Sequence, residues 1–341
     1  MKQIKPIVVL VSIFFVVVLL IPTVLVVPFA ENTSEKPTEN RGQSTEKEEL
    51  ASSADPSVEV AVYRTQTKQI EKLPLEEYIV GVVAAEMPAE FELEALKAQS
   101  LAARTYIVQK MMENPDITLP KGAHVTDTVD YQVYLSRADL KKRWAENYDW
   151  KMKKITQAVK ETEGQILTYK NEPINATFFS TSNGYTEDSE SYWSNSIPYL
   201  KSVESHWDKQ SPEFINQKIM SIADFEHKLG VNIKGTDSVG KITARTSGQR
   251  VDYVEINGDK ITGKEIREKL DLHSADFTWM KQGNNIVINT KGYGHGIGMS
   301  QYGANGMAIE GKTYKDIVTH YYTGIAITPT DQYVAQLTAK Q

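Results

Sequence analysis

Between Ile7 and Val27 the chain runs for 21 residues without a charge, interrupted only by Ser12, Pro22 and Thr23. As a helix rising ~1.5 Å per residue, such a run spans about 30 Å, one bilayer core. Lys2 and Lys5 precede it and Glu31 and Glu35 follow it. The positive-inside rule then leaves residues 1–6 as a cytoplasmic tip and exports everything after the span. A cleaved signal peptide is the alternative. Against it, the run exceeds the usual apolar region, and Pro28-Phe29-Ala30 lacks a small residue at the first position of a cleavage motif. The expectation is a transmembrane anchor over 7–27 with the body outside the cytoplasm. Residues 28–57 are rich in Glu, Ser, Thr, Pro and Lys and almost free of large apolar side chains. They cannot bury enough surface to offset their ordering entropy, so they read as a flexible linker. Residues 58–341 remain for the folded body.

At 40% hydrophobic and 24% charged residues, the chain has enough apolar material for a large core, which excludes wholesale disorder. Lys and Arg number 38 against 44 Asp and Glu, a net charge of -6, so no basic excess suits a nucleic acid. There is no cysteine, which removes disulfides, thiol nucleophiles and every Cys-containing metal site. The six histidines are scattered at 124, 206, 227, 273, 295 and 320, with no H-E-x-x-H and no pair at ligand spacing. Neither a metal nor a cofactor is expected.

The pattern of the body predicts an α+β fold of mixed strands and unequal helices, helical over about 75–165 and strand-rich over about 166–330. Val58 to Tyr63 alternates at the strand period, and a second short strand ends near Leu73. Pro74 sits where a helix favours its first residue. Leu75, Tyr78, Ile79, Val82, Val83 and Glu86 then recur on one helical face until Met87-Pro88 ends it. A second helix is predicted from about Phe91 to Met112. Leu93, Leu96, Ser100, Ala103 and Ile107 form its inward stripe, with Lys97, Leu101, Arg104 and Val108 beside it. Arg137 to Glu163 reads as one charged helical run. Strands are predicted over Ile166–Tyr169, Ile174–Ser180 and Ile286–Thr290, a hairpin over Lys241–Ile256, and short helices over Asp224–Gly230 and Gly263–Leu270.

Three constellations could carry chemistry. Glu86 falls on the apolar stripe at the C-terminal end of its helix, and both features oppose ionisation and suit a general acid. An acid at a helix end that simply bends out to water satisfies the same spacing. Lys97 and Arg104, seven residues apart, are spaced to reach the same place or to be surface cations beside a core stripe. The second constellation is Gly292 to Gly303, five glycines in twelve residues, which holds His295, Ser300, Gln301 and Tyr302 as neutral hydrogen-bonding groups. It is neither a Walker loop nor a dinucleotide fingerprint. The third is Phe178 to Thr186 with Tyr192-Trp193 and Tyr199 to Val203, aromatic faces among hydroxyls and amides, a composition that matches sugars.

Taken together, Gly81-Val82-Val83-Ala84-Ala85-Glu86-Met87-Pro88, the run Ala95 to Tyr106, the Ser180 to Thr186 stretch and the Gly292 to Gly303 loop resemble the stage II sporulation protein D family. The resemblance spans nearly the whole chain with four motifs in order. It implies a membrane-anchored lytic transglycosylase of endospore-forming bacteria, with strands and helices around a glycan-binding cleft. Such an enzyme would cleave bonds between N-acetylmuramic acid (MurNAc) and N-acetylglucosamine (GlcNAc) in septal peptidoglycan during forespore engulfment. Its substrate strands have lost their stem peptides to an amidase, stage II sporulation protein P; stage II sporulation protein M completes the assembly in the mother-cell plasma membrane. By the Ala-Ala-Glu-Met-Pro motif the catalytic glutamate falls on Glu86. Lys97, Arg104, Tyr199, Lys201, Ser300, Gln301 and Tyr302 are the implied substrate-binding positions, and the glycine loop adds His295. Some members bind zinc through Cys and His near the position of His124, which the absence of cysteine leaves without support here. No second carboxylate matches Glu86 in placement, although Glu77, Glu90 and Asp188 remain. Two other readings stand beside the transglycosylase: a hydrolytic muramidase, and a non-catalytic glycan-binding scaffold that enhances a partner amidase.

Overall fold

The computed structural model describes residues 58–338, apart from 114, 115, 117, 194, 234, 236 and 237. The expected anchor and linker lie outside the described residues. Among the described residues no helix is long and apolar enough to cross a membrane. The body is an α+β fold of many short strands and helices of unequal length.

Strand β1 (Glu59–Arg64) pairs antiparallel with β2 (Gln69–Pro74), and Pro74 leads directly into helix α1 (Leu75–Glu86). Glu76 and Glu77 occupy the first turn of α1, where the positive end of the helix dipole favours them. Met87 leaves the helical region ahead of Pro88, as the sequence predicts. Helix α2 (Leu93–Met112) follows and is the axis of the main core. Its burial is wider than the predicted stripe, since Ala95, Leu96 and all of residues 98–105 are buried. A helix buried on every side has helices and strands around it: α1, the helices over Tyr148–Lys160 and Gln301–Ile309 and the strand Gln165–Tyr169 all pack against α2. Its alanines let those neighbours approach closely. Its polar side chains are satisfied locally, with Ser100 Oγ donating to the Leu96 carbonyl (2.8 Å) and Thr105 Oγ1 to the Leu101 carbonyl (2.6 Å). Truncating a fully buried side chain such as Leu101 to alanine would cost about 2–5 kcal/mol.

Strand β3 (Val125–Thr126) adds a parallel neighbour to β1. The charged run divides into two helices, α3 (Arg137–Trp144) and α4 (Tyr148–Lys160), because Ala145 turns the chain through a positive φ of 46°. Ser136 and Asp139 start α3 with a reciprocal capping box. Strands β4 (Gln165–Tyr169) and β5 (Glu172–Pro173) form a hairpin in which Lys170 and Asn171 both take positive φ, 51° and 64°, as a two-residue turn requires. The predicted strand at Ile174–Ser180 shrinks to β6 (Phe178–Phe179).

Residues 215–291 form a module with its own core. Strand β7 (Ile215–Ser221), helix α5 (Ile222–Leu229), strands β8 (Lys241–Arg245), β9 (Val251–Ile256) and β10 (Asp259–Thr262), helix α6 (Gly263–Lys269) and strands β11 (Phe277–Gln282) and β12 (Asn285–Lys291) follow in order. They make two antiparallel three-stranded sheets, ordered β10-β9-β8 and β11-β12-β7. Phe225, Val254, Ile266, Phe277 and Ile288 meet between them. The chain then returns to the main core through β13 (Met299–Ser300), parallel to β6, and helices α7 (Gln301–Ile309) and α8 (Tyr314–Tyr321). Strand β14 (Ala326–Pro329) pairs with β4, and helix α9 (Asp331–Thr338) closes the described chain. The span expected to be strand-rich thus also carries α7 and α8.

Candidate functional site

Glu86 is the last residue of α1, and its half-buried carboxyl looks onto an extended strap, residues 131–135, laid across that helix. The strap fits because α1 carries Gly81 beneath it: a Cβ there would collide with the Tyr134 ring and the Leu135 carbonyl. Held at this height, the Val133 N–H donates to Glu86 Oε1 at 2.9 Å. Burial raises the pKa of Glu86 and the Val133 hydrogen bond partly opposes it; no cation is among the causes. From the other side Gln301 Nε2 donates to the Glu86 carbonyl (3.0 Å) and lies 3.5 Å from Gln99 Oε1. Tyr78 donates its hydroxyl to Gln132 Oε1 at 3.3 Å beside the strap. The buried amide N–H groups of Gln99 and Gln132 make no hydrogen bond among the described residues. Among the described residues the carboxyl thus accepts from a neutral backbone amide, while the Gln301 amide holds the main-chain carbonyl of the same residue.

Gln301 is delivered to Glu86 by the glycine loop. At Gly298 (φ 79°) the loop presses on the Thr177 backbone, and at Gly296 (φ 90°) on the buried Arg250 guanidinium, so neither position admits a side chain. Ser300 then caps α7, accepting from the Gly303 N–H (3.3 Å) and donating to Asp208 Oδ1 (2.5 Å). Asp208 is fully buried, and its oxygens also accept from the Ser182 N–H, Ser182 Oγ and Ser205 Oγ. Tyr302 continues the loop: its N–H donates to the Ser180 carbonyl (3.0 Å), and its ring meets Phe91 edge-on at 4.9 Å.

The structure brings only part of the expected set to Glu86. Gln301 touches its main-chain carbonyl, and Tyr302, the next residue, packs its ring on Phe91. Ser300 is enclosed with Asp208 and shapes the loop from behind. Lys97 Nζ pairs with Glu94 (2.7 Å) and with Glu161. Arg104 is fully buried and grips Glu76 through two bonds, Nε to Oε1 at 2.8 Å and Nη2 to Oε2 at 2.6 Å. Its remaining donors reach the carbonyls of Val159 (3.2 Å), in the last turn of α4, and of Thr162 (2.8 Å) and Gln165 (3.2 Å) beyond it. Glu76 lies ten residues before Glu86, roughly 15 Å along α1. Tyr199 accepts the Asn175 N–H at 2.9 Å, and its ring packs 5.4 Å from Tyr169. Lys201 is exposed and pairs with Glu190 at 2.7 Å. His295 is half-buried, with Nδ1 accepting from the Ile297 N–H (3.0 Å). Burial, and after it the charges of Arg267 and Arg250, lower its pKa to about 4, so it is neutral at neutral pH.

The three other carboxylates are engaged elsewhere. Glu77 pairs with Arg137 (3.2 Å) and Glu90 with Lys151 (2.7 Å), whereas Asp188 accepts from the Ser202 N–H (2.8 Å) and Ser247 Oγ (2.6 Å). His124 Nδ1 accepts the Ala61 N–H (3.1 Å), tying β1 to the segment before β3. Among the described residues no three His, Asp or Glu side chains converge as a metal would require. The residues that sequence reasoning passes over are Val133, Gln132 and Gln99. Nothing local marks the strap, although Gly81 in the middle of an apolar helix signals a close approach.

Residues 63–169, from β1 through Glu86 to β4, match the family model described as SpoIID: Stage II sporulation protein. That match defines the chain as a protein carrying this sporulation domain. Over 97% of its length the chain is 50% identical to stage II sporulation protein D of Bacillus subtilis (strain 168), covering 98% of that protein. It is 51% identical over 99% of its length to stage II sporulation protein D of Bacillus amyloliquefaciens, covering 100% of it. A more distant relative, the amidase enhancer of Bacillus subtilis (strain 168), is 31% identical over 73% of this chain and 40% of its own length. The chain belongs to the stage II sporulation protein D family.

Proposed function

We propose that this protein is a peptidoglycan lytic transglycosylase, cutting MurNAc–GlcNAc bonds in peptide-stripped glycan strands with Glu86 as its acid and then its base. The observation that supports this most is the Glu86 carboxyl itself, desolvated and, among the described residues, without a cation partner and held by one N–H. A carboxyl with a raised pKa keeps its proton to higher pH than an exposed glutamate does. In the first step Glu86 gives that proton to the bridging oxygen, the bond from the muramoyl C1 to that oxygen breaks, and the GlcNAc alcohol leaves. The oxocarbenium-like centre at C1 is then attacked by the muramoyl 6-hydroxyl, whose proton passes to the Glu86 carboxylate. A 1,6-anhydro ring closes without consuming water. One carboxyl serves both steps, whereas a hydrolase ordinarily needs a second at a set separation. The engagement of Glu77, Glu90 and Asp188 elsewhere favours the one-carboxyl route.

By its family this activity belongs to septal wall degradation and engulfment. The span at 7–27 would hold the body on the outer side of the mother-cell plasma membrane, with stage II sporulation proteins P and M as companions. A second reading, a scaffold presenting glycan to an amidase, draws on the likeness to the amidase enhancer. The intact Glu86→Gln protein separates the two. An enzyme loses strand cleavage on that substitution, and a scaffold keeps its full effect on the partner amidase.

A further inference from the structure

Where α3 meets α4 the molecule changes sign. From Arg137 to Lys160 the chain carries eight cations and three acids, although its net charge as a whole is -6. Of those acids Asp139 is committed to Arg64 (2.7 Å) and to the cap of α3, leaving Glu146 and Asp149. Lys141, Lys142, Arg143, Lys153 and Lys160 are exposed, and among the described residues their side chains make no ion pair or hydrogen bond. The packing of α4 decides where its charges point. Met152, Ile155 and Val159 bury one side of the helix, which turns Trp150, Lys153 and Gln157, spaced three and four apart, to solvent. Trp150 is 44% exposed, and its ring N–H is already given to Asn147 Oδ1 (2.9 Å), so what it presents is an apolar ring. Lys151 Nζ stands 5.7 Å from the centre of the Trp144 ring and 5.4 Å from that of Trp150, which makes the end of α3 and the start of α4 one aromatic and basic corner. The same Nζ pairs with Glu90 (2.7 Å), in the loop that follows Glu86.

We propose that this corner docks on an anionic lipid surface, with the Trp150 ring at the level of the headgroups and the five unpaired cations against their phosphates. An outward tryptophan among lysines is the composition of a segment that lies in a membrane interface: the ring gains by leaving water, while the lysine stems lie along the apolar boundary and their ammonium groups stay hydrated. A dissolved phosphodiester polymer would satisfy the cations equally but leave the ring in water, so Trp150 favours the bilayer. The contact needs little affinity of its own. Residues 28–57 join the span expected at 7–27 to β1, and a chain of that length extends at most about 100 Å, so the body stays at high local concentration beside lipid. The attraction of an anionic leaflet for cations acts within about 8 Å at physiological salt, so it draws in this face and not the acidic remainder. Because Lys151 ties the corner to Glu90, docking fixes the height of the Glu86 loop above the bilayer. The proposal concerns where the site is held and goes beyond the reading of what Glu86 does there.

The test uses the full-length protein inserted in lipid nanodiscs. The chain has no cysteine, so a single one introduced by Gln157→Cys takes a fluorophore alone, and Lys228→Cys, on exposed α5 of the 215–291 module, supplies a reference site. Quenching by nitroxide-headgroup lipid reports contact with the bilayer. In discs of phosphatidylcholine mixed with phosphatidylglycerol the label at 157 should be quenched and the label at 228 should not. In phosphatidylcholine alone, or in molar salt, the quenching should be lost. Combining Lys142→Glu, Arg143→Glu and Lys153→Glu should lower the ratio of docked to undocked protein by about a hundredfold, roughly fivefold for each cation near the surface. The lipid and salt arms alter no charge of the protein, so misfolding of the triple variant cannot imitate them. Absence of quenching at 157 in the anionic discs, equal quenching at both sites, or quenching indifferent to lipid charge overturns the proposal. If polyphosphate binds the protein in phosphatidylcholine discs while the label at 157 stays unquenched in anionic ones, the face serves a dissolved polyanion and the lipid contact is wrong. Strand cleavage by Glu86 is measured separately and stands or falls without these results.

Discussion

Replacing Arg104 by methionine keeps the aliphatic stem and removes a guanidinium that is wholly buried, while its partner Glu76 retains 21% of its side-chain exposure. Breaking a buried pair by deleting one member costs about 3–5 kcal/mol, and the partial exposure of Glu76 favours the lower end. Three backbone carbonyls, of Val159, Thr162 and Gln165, lose a donor at the same time, and an unsatisfied buried acceptor costs about 1–3 kcal/mol. Water can reach some of these groups after the change, so we take about 4 kcal/mol for the whole substitution. With unfolding entropy near 2.1 cal/mol/K per residue, a body of this size has about 0.6 kcal/mol/K at its midpoint, and Tm should fall by about 7 °C. Arg104→Lys should recover only part of that, because a point charge cannot fill the two-pronged contact with Glu76. Thermal melts followed by near-ultraviolet circular dichroism, alongside KM for peptide-free strands, check the argument. An unchanged Tm with a raised KM would refute it and place Arg104 in contact with substrate.

Glu86 should also be visible in stability. Burial raises its folded pKa above the unfolded value of about 4.3, so the unfolded chain ionises first and the carboxyl subtracts stability as pH climbs through the folded pKa. Glu86→Gln is therefore expected to melt above wild type at pH 7, with the gap closing as pH falls toward 4; parallel curves at every pH would exclude a desolvated carboxyl. Gly306 in α7 lies against Trp207, so Gly306→Ala overpacks that contact and should cost about 1–3 kcal/mol, read as a lower Tm with the pH dependence of activity preserved.

Helix α1 and its end are legible because apolar spacing and Met87-Pro88 are local signals, and so the position of Glu86 is too. Its surroundings are not. The Val133 N–H arrives from 47 residues away, and no pattern within the strap announces that contact. Helical spacing puts Lys97 and Arg104 on one side of α2, but their partners, Glu161 and Glu76, come from other elements, and only the tertiary fold decides where each cation is spent. Helix α7 is hidden by Gly303 and Gly306, residues that lower helix propensity in isolation. They are needed because the Tyr321 hydroxyl and the Trp207 ring press against them. The same tertiary override accounts for the all-round burial of α2, whose Gln99 and Thr105 lie outside the predicted inward stripe and are buried all the same.

The most direct test is mass analysis of the sugars released when the intact protein meets peptide-free glycan strands. If one carboxyl protonates the leaving oxygen and then deprotonates the 6-hydroxyl, the muramoyl ends are anhydro forms lighter by one water than reducing ends. Glu86→Gln should then slow their release by about a hundredfold to ten-thousandfold. Products with reducing ends, or release by the Gln protein at the wild-type rate, would contradict the account.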